Sequence, residues 1–282
     1  MNAIDLGRFR LHLVSDGGFK LDGGAMFGVV PKTMWQKVLP ADADNRIRFG
    51  TNCLLVEAGD ELILIDSGLG DKQDEKFRGI YAYEAGARRL PESIRAAGFE
   101  LADVTQVVLT HLHFDHCGWN TRFDSSGRAV PTFPNARYWL NRGEVEHARQ
   151  PTERDRASYF PYNFEPLFEA GQVELFDDTC EVVPGVRAEK APGHNADMCV
   201  VTLVDGGERA IFLADLVPTT AHVPLPWIMG YDLYPMQTLA SKKLWLPRLA
   251  LENWLCIFEH DYASPLGRIV SEKPGRFAAG PV

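Results

Sequence analysis

Between residues 110 and 118 the chain reads Thr-His-Leu-His-Phe-Asp-His-Cys-Gly, which crowds His111, His113, Asp115 and His116 into one short stretch. Neutral imidazole and carboxylate are the donors that zinc and other borderline divalent ions select. A single histidine on an apolar strand is usually a hydrogen-bonded core residue, and that is the reading for His12. Three histidines and an aspartate at one strand end are too costly to bury unpaired. The cluster therefore reads as a metal site.

Elements on either side must aim these residues. A strand is expected over 104–110, and side-chain alternation along it would send His111 and His113 the same way. Asp115 and His116 then fall where the chain leaves the strand, with Gly118 letting it turn. Upstream, runs at 51–57 and 61–66 around Ala58-Gly59-Asp60 predict a hairpin that ends at Asp66-Ser67-Gly68. A helix is expected over 91–97, closed by Gly98, and another after Asn141 to about 149. The charges from 142 to 156 suggest a solvated helical face. Further strands are expected at 137–140, 173–176, 181–189, 198–204, 209–214 and 254–258, with a helix over 235–249 before the last. Without a Ser/Gly-rich linker, one sheet-rich α/β domain over 1–282 is favoured.

Composition limits the partners. The 282 residues are 45% hydrophobic and 24% charged, which is globular rather than disordered. Twenty-nine Lys and Arg against 38 Asp and Glu give a net charge of −9. No basic field is available for nucleic acid or an anionic membrane. The first ten residues lack the apolar stretch of a secretory signal, and no run is long enough to span a bilayer. Five widely spaced cysteines, an odd number, read as reduced core thiols in a cytoplasmic protein.

The stretch 111–116 matches H-x-H-x-D-H, and there the sequence resembles the metallo-β-lactamase superfamily. The resemblance continues through Pro192-Gly193-His194, Ala214-Asp215 and Glu259-His260-Asp261, each after an expected turn or strand end. It implies an α/β fold of the four-layer αβ/βα sandwich type. It also implies two divalent metal ions, zinc first, with iron, manganese or cobalt as alternatives. His111, His113 and His194 would hold one ion; Asp115, His116 and His260 would hold the other; Asp215 would bridge them. Such a pair shares a hydroxide and polarises the scissile carbonyl or phosphoryl oxygen. Asp115 and Asp215 are thus the catalytic carboxylates, and Cys117 is a bystander. Asp66 is expected to orient a ligand histidine or the hairpin end, and Asp261 to do the same or to face solvent.

The superfamily spans many chemistries, so the fold does not settle the reaction. His113 is retained where the flavodiiron branch has Glu, and the full ligand set favours hydrolysis. The segment 24–35 is similar to the N-terminal segment of lactonase-like and organophosphate-hydrolase-like members. With it, Phe27, Trp35, Trp227, Ile228 and Met229 are expected to line an apolar acyl pocket. The expected substrate is a small molecule, an N-acyl homoserine lactone or small carboxylic ester, with a quorum-quenching role. Phosphotriester, thioester and β-lactam hydrolysis, and iron redox chemistry or ligand binding without turnover, are the alternatives. Familiar lactonases carry Tyr three residues after the bridging Asp, where this chain has Pro218; Tyr231, Tyr234 or His222 would have to replace it as oxyanion donor or leaving-group acid. A homodimer is compatible with these features.

Overall fold

Side-chain alternation builds the centre of the molecule. Strand Arg46–Ala58 sends Leu54 and Val56 to one face and Cys53 and Leu55 to the other, and Glu61–Ile65 repeats this with Ile63 and Ile65 against Leu62 and Leu64. A strand apolar at both sets of positions is buried on both faces. The computed structural model, which describes residues 3–84 and 89–282, has two seven-stranded sheets and a small two-stranded one. The first runs Ile4–Leu6, Phe9–Asp22, Arg46–Ala58, Glu61–Ile65, Gln106–Val108, Arg137–Asn141, Val173–Phe176. The second runs Thr179–Val183, Val186–Lys190, Cys199–Asp205, Glu208–Phe212, Leu255–Ile257, Leu266–Lys273, Arg276–Gly280.

The sheets face each other across a core that joins Leu54, Val56 and Ile63 to Val200, Leu203 and Ile211. Helices Leu90–Ala96 and Arg142–Arg149 cover the far face of the first sheet through Leu90, Ile94, Val145 and Ala148. Helix Pro235–Leu251 lays Trp245, Leu246 and Leu249 on the second. This is the mixed α/β sandwich that the sequence implied.

The expected hairpin pairs Leu54 with Ile65 and Ala58 with Glu61. Asn141 caps its helix, accepting from Gly143 N at 2.9 Å. Three expectations need correction. The strand at 181–189 is two strands, because Pro184 has no N–H to offer the ladder and Gly185 turns at φ 82°. The strand at 104–110 is only Gln106–Val108, because Thr110 gives its N–H and hydroxyl to Asp66 at 2.8 and 2.6 Å instead of to a neighbouring strand. The stretch 142–156 is not simply solvated: the helix ends at Arg149, and Glu144 and Asp155 are buried. All five cysteines are unpaired, and all but Cys180 are buried. No described helix is long and apolar enough to cross a membrane.

Candidate metal centre

Strands Glu61–Ile65 and Gln106–Val108 are parallel, as are Glu208–Phe212 and Leu255–Ile257. Parallel neighbours end on the same edge, and ligands bind at such carboxyl ends. Asp66, the 111–116 stretch, Asp215 and the 259–261 stretch all emerge there. His111 and His113 lie beyond the strand, so alternation does not align them. A tight turn does: the His116 and Cys117 N–H groups donate to the His113 carbonyl at 3.1 and 3.2 Å. Gly118 serves a close approach and not a turn, since a Cβ there would sit 2.0 Å from the Leu69 carbonyl carbon. Asp66 and Ala214 hold left-handed backbones at φ 54° and 45°. Such non-glycine conformations cost free energy and concentrate at functional turns.

The structure gathers His111, His113, His194 and Asp215 into one donor group and Asp115, His116 and His260 into a second. Asp215 lies between them, with Oδ2 3.2 Å from His194 Nε2 and Oδ1 3.2 Å from His260 Nε2. Asp115 Oδ2 is 3.7 Å from His260 Nε2. His194 Nε2 faces His113 Nδ1 at 3.0 Å, and His260 Nε2 faces His116 Nε2 at 3.2 Å.

Outer hydrogen bonds settle which nitrogen carries the lone pair. His194 Nδ1 donates to Asp232 at 3.0 Å, His116 Nδ1 to Asp66 at 3.0 Å, and His260 Nδ1 to the Gly50 carbonyl at 2.9 Å. Thr110 Oγ1, its own proton spent on Asp66, accepts from His111 Nδ1 at 3.1 Å. Each Nε2 is then an acceptor aimed inward. His111 Nε2 and Asp215 Oδ1 are buried without any hydrogen-bond partner. Buried acceptors converging on one point require cations, so these residues fit a pair of divalent metal ions.

The electrostatics agree. Burial, reinforced by neighbouring imidazoles, pushes His111 and His113 well below the usual histidine range. Burial also pushes the Asp215 carboxyl up, but His194, His260 and His116 outweigh it and hold that group well below the carboxylate range. His111 and His113 are thereby neutral and the bridging group anionic, the forms a metal needs, while Asp215, against burial, holds His194 and His260 above the usual histidine range, so that an ion bound there would displace their protons.

A model of the metallo-beta-lactamase superfamily matches residues 46–260. The chain belongs to that superfamily. An N-acyl homoserine lactonase of Bacillus cereus is 26% identical over 152 residues, 51% of this chain and 54% of that one. The chain thus spans about half the length of that relative. A probable metal-dependent hydrolase from Staphylococcus aureus superposes with a TM-score of 0.89 at 28% identity, covering 99% of both chains. AidC, a dizinc quorum-quenching lactonase solved with a product, superposes at 0.81 and 25% identity over 100% of this chain and 97% of that one.

Around this superfamily centre the structure adds residues that the sequence did not reveal. Asp232 joins His194 to Thr238, whose hydroxyl donates to it at 2.6 Å. Glu259 is fully buried with Oε2 2.9 Å from His116 Nδ1. Glu144 accepts from Leu112 N at 2.9 Å, between the two motif histidines, and from Tyr159, whose ring edges His113 at 4.8 Å. Glu259 could have been found, as the acid preceding His260. Asp232 could not, because its link to His194 crosses a long loop. Asp261 instead ties two loops, accepting from the Thr220 N–H and hydroxyl at 3.0 and 2.6 Å. His12 is a hydrogen-bonded residue, 2.7 Å from Glu57. Cys117 donates to the Leu112 carbonyl at 3.3 Å, and burial raises its thiol to about 12.

Five of the donors, His113, Asp115, His194, Asp215 and His260, form the floor of a cavity of about 340 Å³. Its walls include Leu21, Met26, Phe114, Met229, Leu233 and Tyr231, with Arg154 near the rim. Of the residues expected to contact substrate, Met229 and Tyr231 line it. Phe27, Trp35, Trp227, Ile228 and His222 do not line it. Phe27 stacks between Trp35 at 5.4 Å and His222 at 4.5 Å, with Trp227 edge-on at 5.5 Å. His222 spends both ring nitrogens, on Thr219 at 2.7 Å and the Met26 carbonyl at 3.0 Å. That stack packs with Met26 and Met229, which line the cavity, in one apolar cluster and so backs the wall. Tyr234 is exposed at the start of the last helix.

Proposed function

We propose that the protein is a dinuclear metal-dependent hydrolase that opens lactones with an apolar acyl tail, N-acyl homoserine lactones foremost. The observation that carries this is a donor set for two ions on the floor of an apolar-walled cavity. His111, His113 and His194 would hold one ion, Asp115, His116 and His260 the other, and Asp215 both. Imidazole-rich donors suit zinc. Bound there, two such ions supply a nucleophilic oxygen at neutral pH and polarise a carbonyl.

The chain's own groups do the rest. Asp232, Asp66, Thr110 and the Gly50 carbonyl lock the ligand imidazoles, so little reorganisation is needed when substrate enters. Tyr231 is partly exposed at the cavity mouth; the desolvation it does feel, with Tyr81, Asp22 and Asp115 acting the same way, raises its phenol, so the hydroxyl stays protonated. It can donate a hydrogen bond to the ester oxygens, the role for which Pro218 leaves a gap. Met26, Met229 and Leu233 receive the tail. Opening signalling lactones would make the enzyme quorum-quenching, and five unpaired thiols support a cytoplasmic location.

A series of lactones of increasing acyl length, assayed beside β-lactam and phosphotriester substrates on metal-loaded protein, tests this reading. Each buried methylene contributes about 0.8 kcal/mol, so kcat/KM should rise with length until the cavity is full. A flat profile, or higher kcat/KM on a phosphotriester, would remove the lactone assignment and leave the metal centre standing.

A further inference from the structure

The cavity wall at residues 228–233 is irregular chain, and something must hold it. Gly230 N donates to the Ala25 carbonyl at 2.7 Å, and Arg154 Nη2 donates to the Gly230 carbonyl at 2.6 Å. These two bonds fasten the front. The far end of the wall is held by Asp232, bonded to His194 and Thr238, and by the Leu233 N–H on the His194 carbonyl at 2.9 Å. The chain leading into it, 222–227, is held from behind by Lys242, which projects from helix Pro235–Leu251 and has no exposed surface. Its Nζ donates to the carbonyls of His222 at 2.6 Å, Pro224 at 2.8 Å and Trp227 at 3.0 Å.

An ammonium has three N–H donors and no acceptor, so these carbonyls use all of it. Fully buried lysines are rare unless paired. Among the described residues no carboxylate forms an ion pair with this one; its partners are three main-chain oxygens outside any strand, of which that of Pro224 also accepts from the Trp227 N–H at 3.0 Å. A methionine would pack on the same helix face without desolvating a charge, but would leave the His222 and Trp227 carbonyls without the donor that Lys242 supplies. The same helix grips the first metal group independently, through Thr238 to Asp232 and Ser241 to the Pro192 carbonyl at 2.7 Å.

We infer that Lys242 is a specificity-positioning residue: by pinning residues 222–227 it fixes Met229, Tyr231 and Leu233 over the metal floor and so sets the depth of the tail pocket. This rests on the lactone reading for the identity of the tail, but not for the pinning itself. It acts through the loop and touches no donor, so metal content and the Asp232–His194 bond should survive its loss.

The experiment compares Lys242→Met and Lys242→Gln with wild type, all metal-loaded. Metal per chain should stay at the wild-type value, and amide hydrogen exchange should accelerate across 222–233. The kcat/KM advantage of long over short acyl lactones should fall by roughly 10–100-fold, mostly in KM. Unchanged exchange in that loop, or an unchanged length profile with faster exchange, would overturn the inference. So would failure of both variants to fold, which would assign Lys242 to folding rather than to specificity. If wild type opens no lactone, the lactone reading fails, and the exchange comparison alone decides the pinning.

Discussion

Asp215→Asn is expected to lose turnover by more than about 100-fold, beyond the ~10–100-fold that removing an outer partner of a metal ligand costs. Its carboxylate is the group within 3.2 Å of both His194 and His260, one from each donor set. An amide of the same shape removes the anion that those imidazoles share, leaving two lone-pair clusters without their common counter-charge. Cys117→Ala, two residues from Asp115, should stay near wild type because its thiol faces the Leu112 carbonyl. Comparing kcat at measured metal content for both variants checks this. Greater damage from Cys117→Ala, at equal fold and metal content, would reopen a thiol mechanism.

His116→Ala and His260→Ala should each empty one metal position and leave the other filled, whereas His111→Ala should damage the opposite one. The two donor sets share Asp215 as the group that faces both, and His116 and His260 face each other at 3.2 Å within one of them. His116 has a second structural load, since Asp66 and Glu259 both press on its Nδ1. Its removal leaves a fully buried Glu259 with no partner, which costs stability as well as metal. The His260 variant loses less fold, and therefore isolates the metal effect. Anomalous scattering on each variant reads which position is empty. Equal loss from both positions in His260→Ala, with the fold intact, would show that the donor groups do not fill separately.

The site is legible in the sequence where chemistry and local geometry coincide. His111, His113, Asp115 and His116 are close in sequence and in space, so their residue types sufficed. The hairpin that ends in Asp66 was readable because its strands alternate cleanly around Gly59. The strand Phe9–Asp22 was not, since Asp16-Gly17-Gly18 interrupts its alternation where the pairing register shifts. The hairpin of Leu266–Lys273 and Arg276–Gly280 was hidden by its charged outer face. The aromatic residues Phe27, Trp35, Trp227 and His222 were identifiable as a group, but not which side of the wall they occupy. Composition says that such rings will be buried; only the loop path decides whether they meet substrate or one another. Asp232 and Lys242 left no trace in spacing, because each acts on groups that folding alone brings near.

The most direct test of the central claim is the metal content of the wild-type chain after loading with excess zinc and removal of unbound ion. Elemental analysis should return close to two ions per chain, matching two donor groups joined by one carboxylate. A value that stays at one under metal-replete conditions, or a single redox-active iron, would contradict a dinuclear hydrolase.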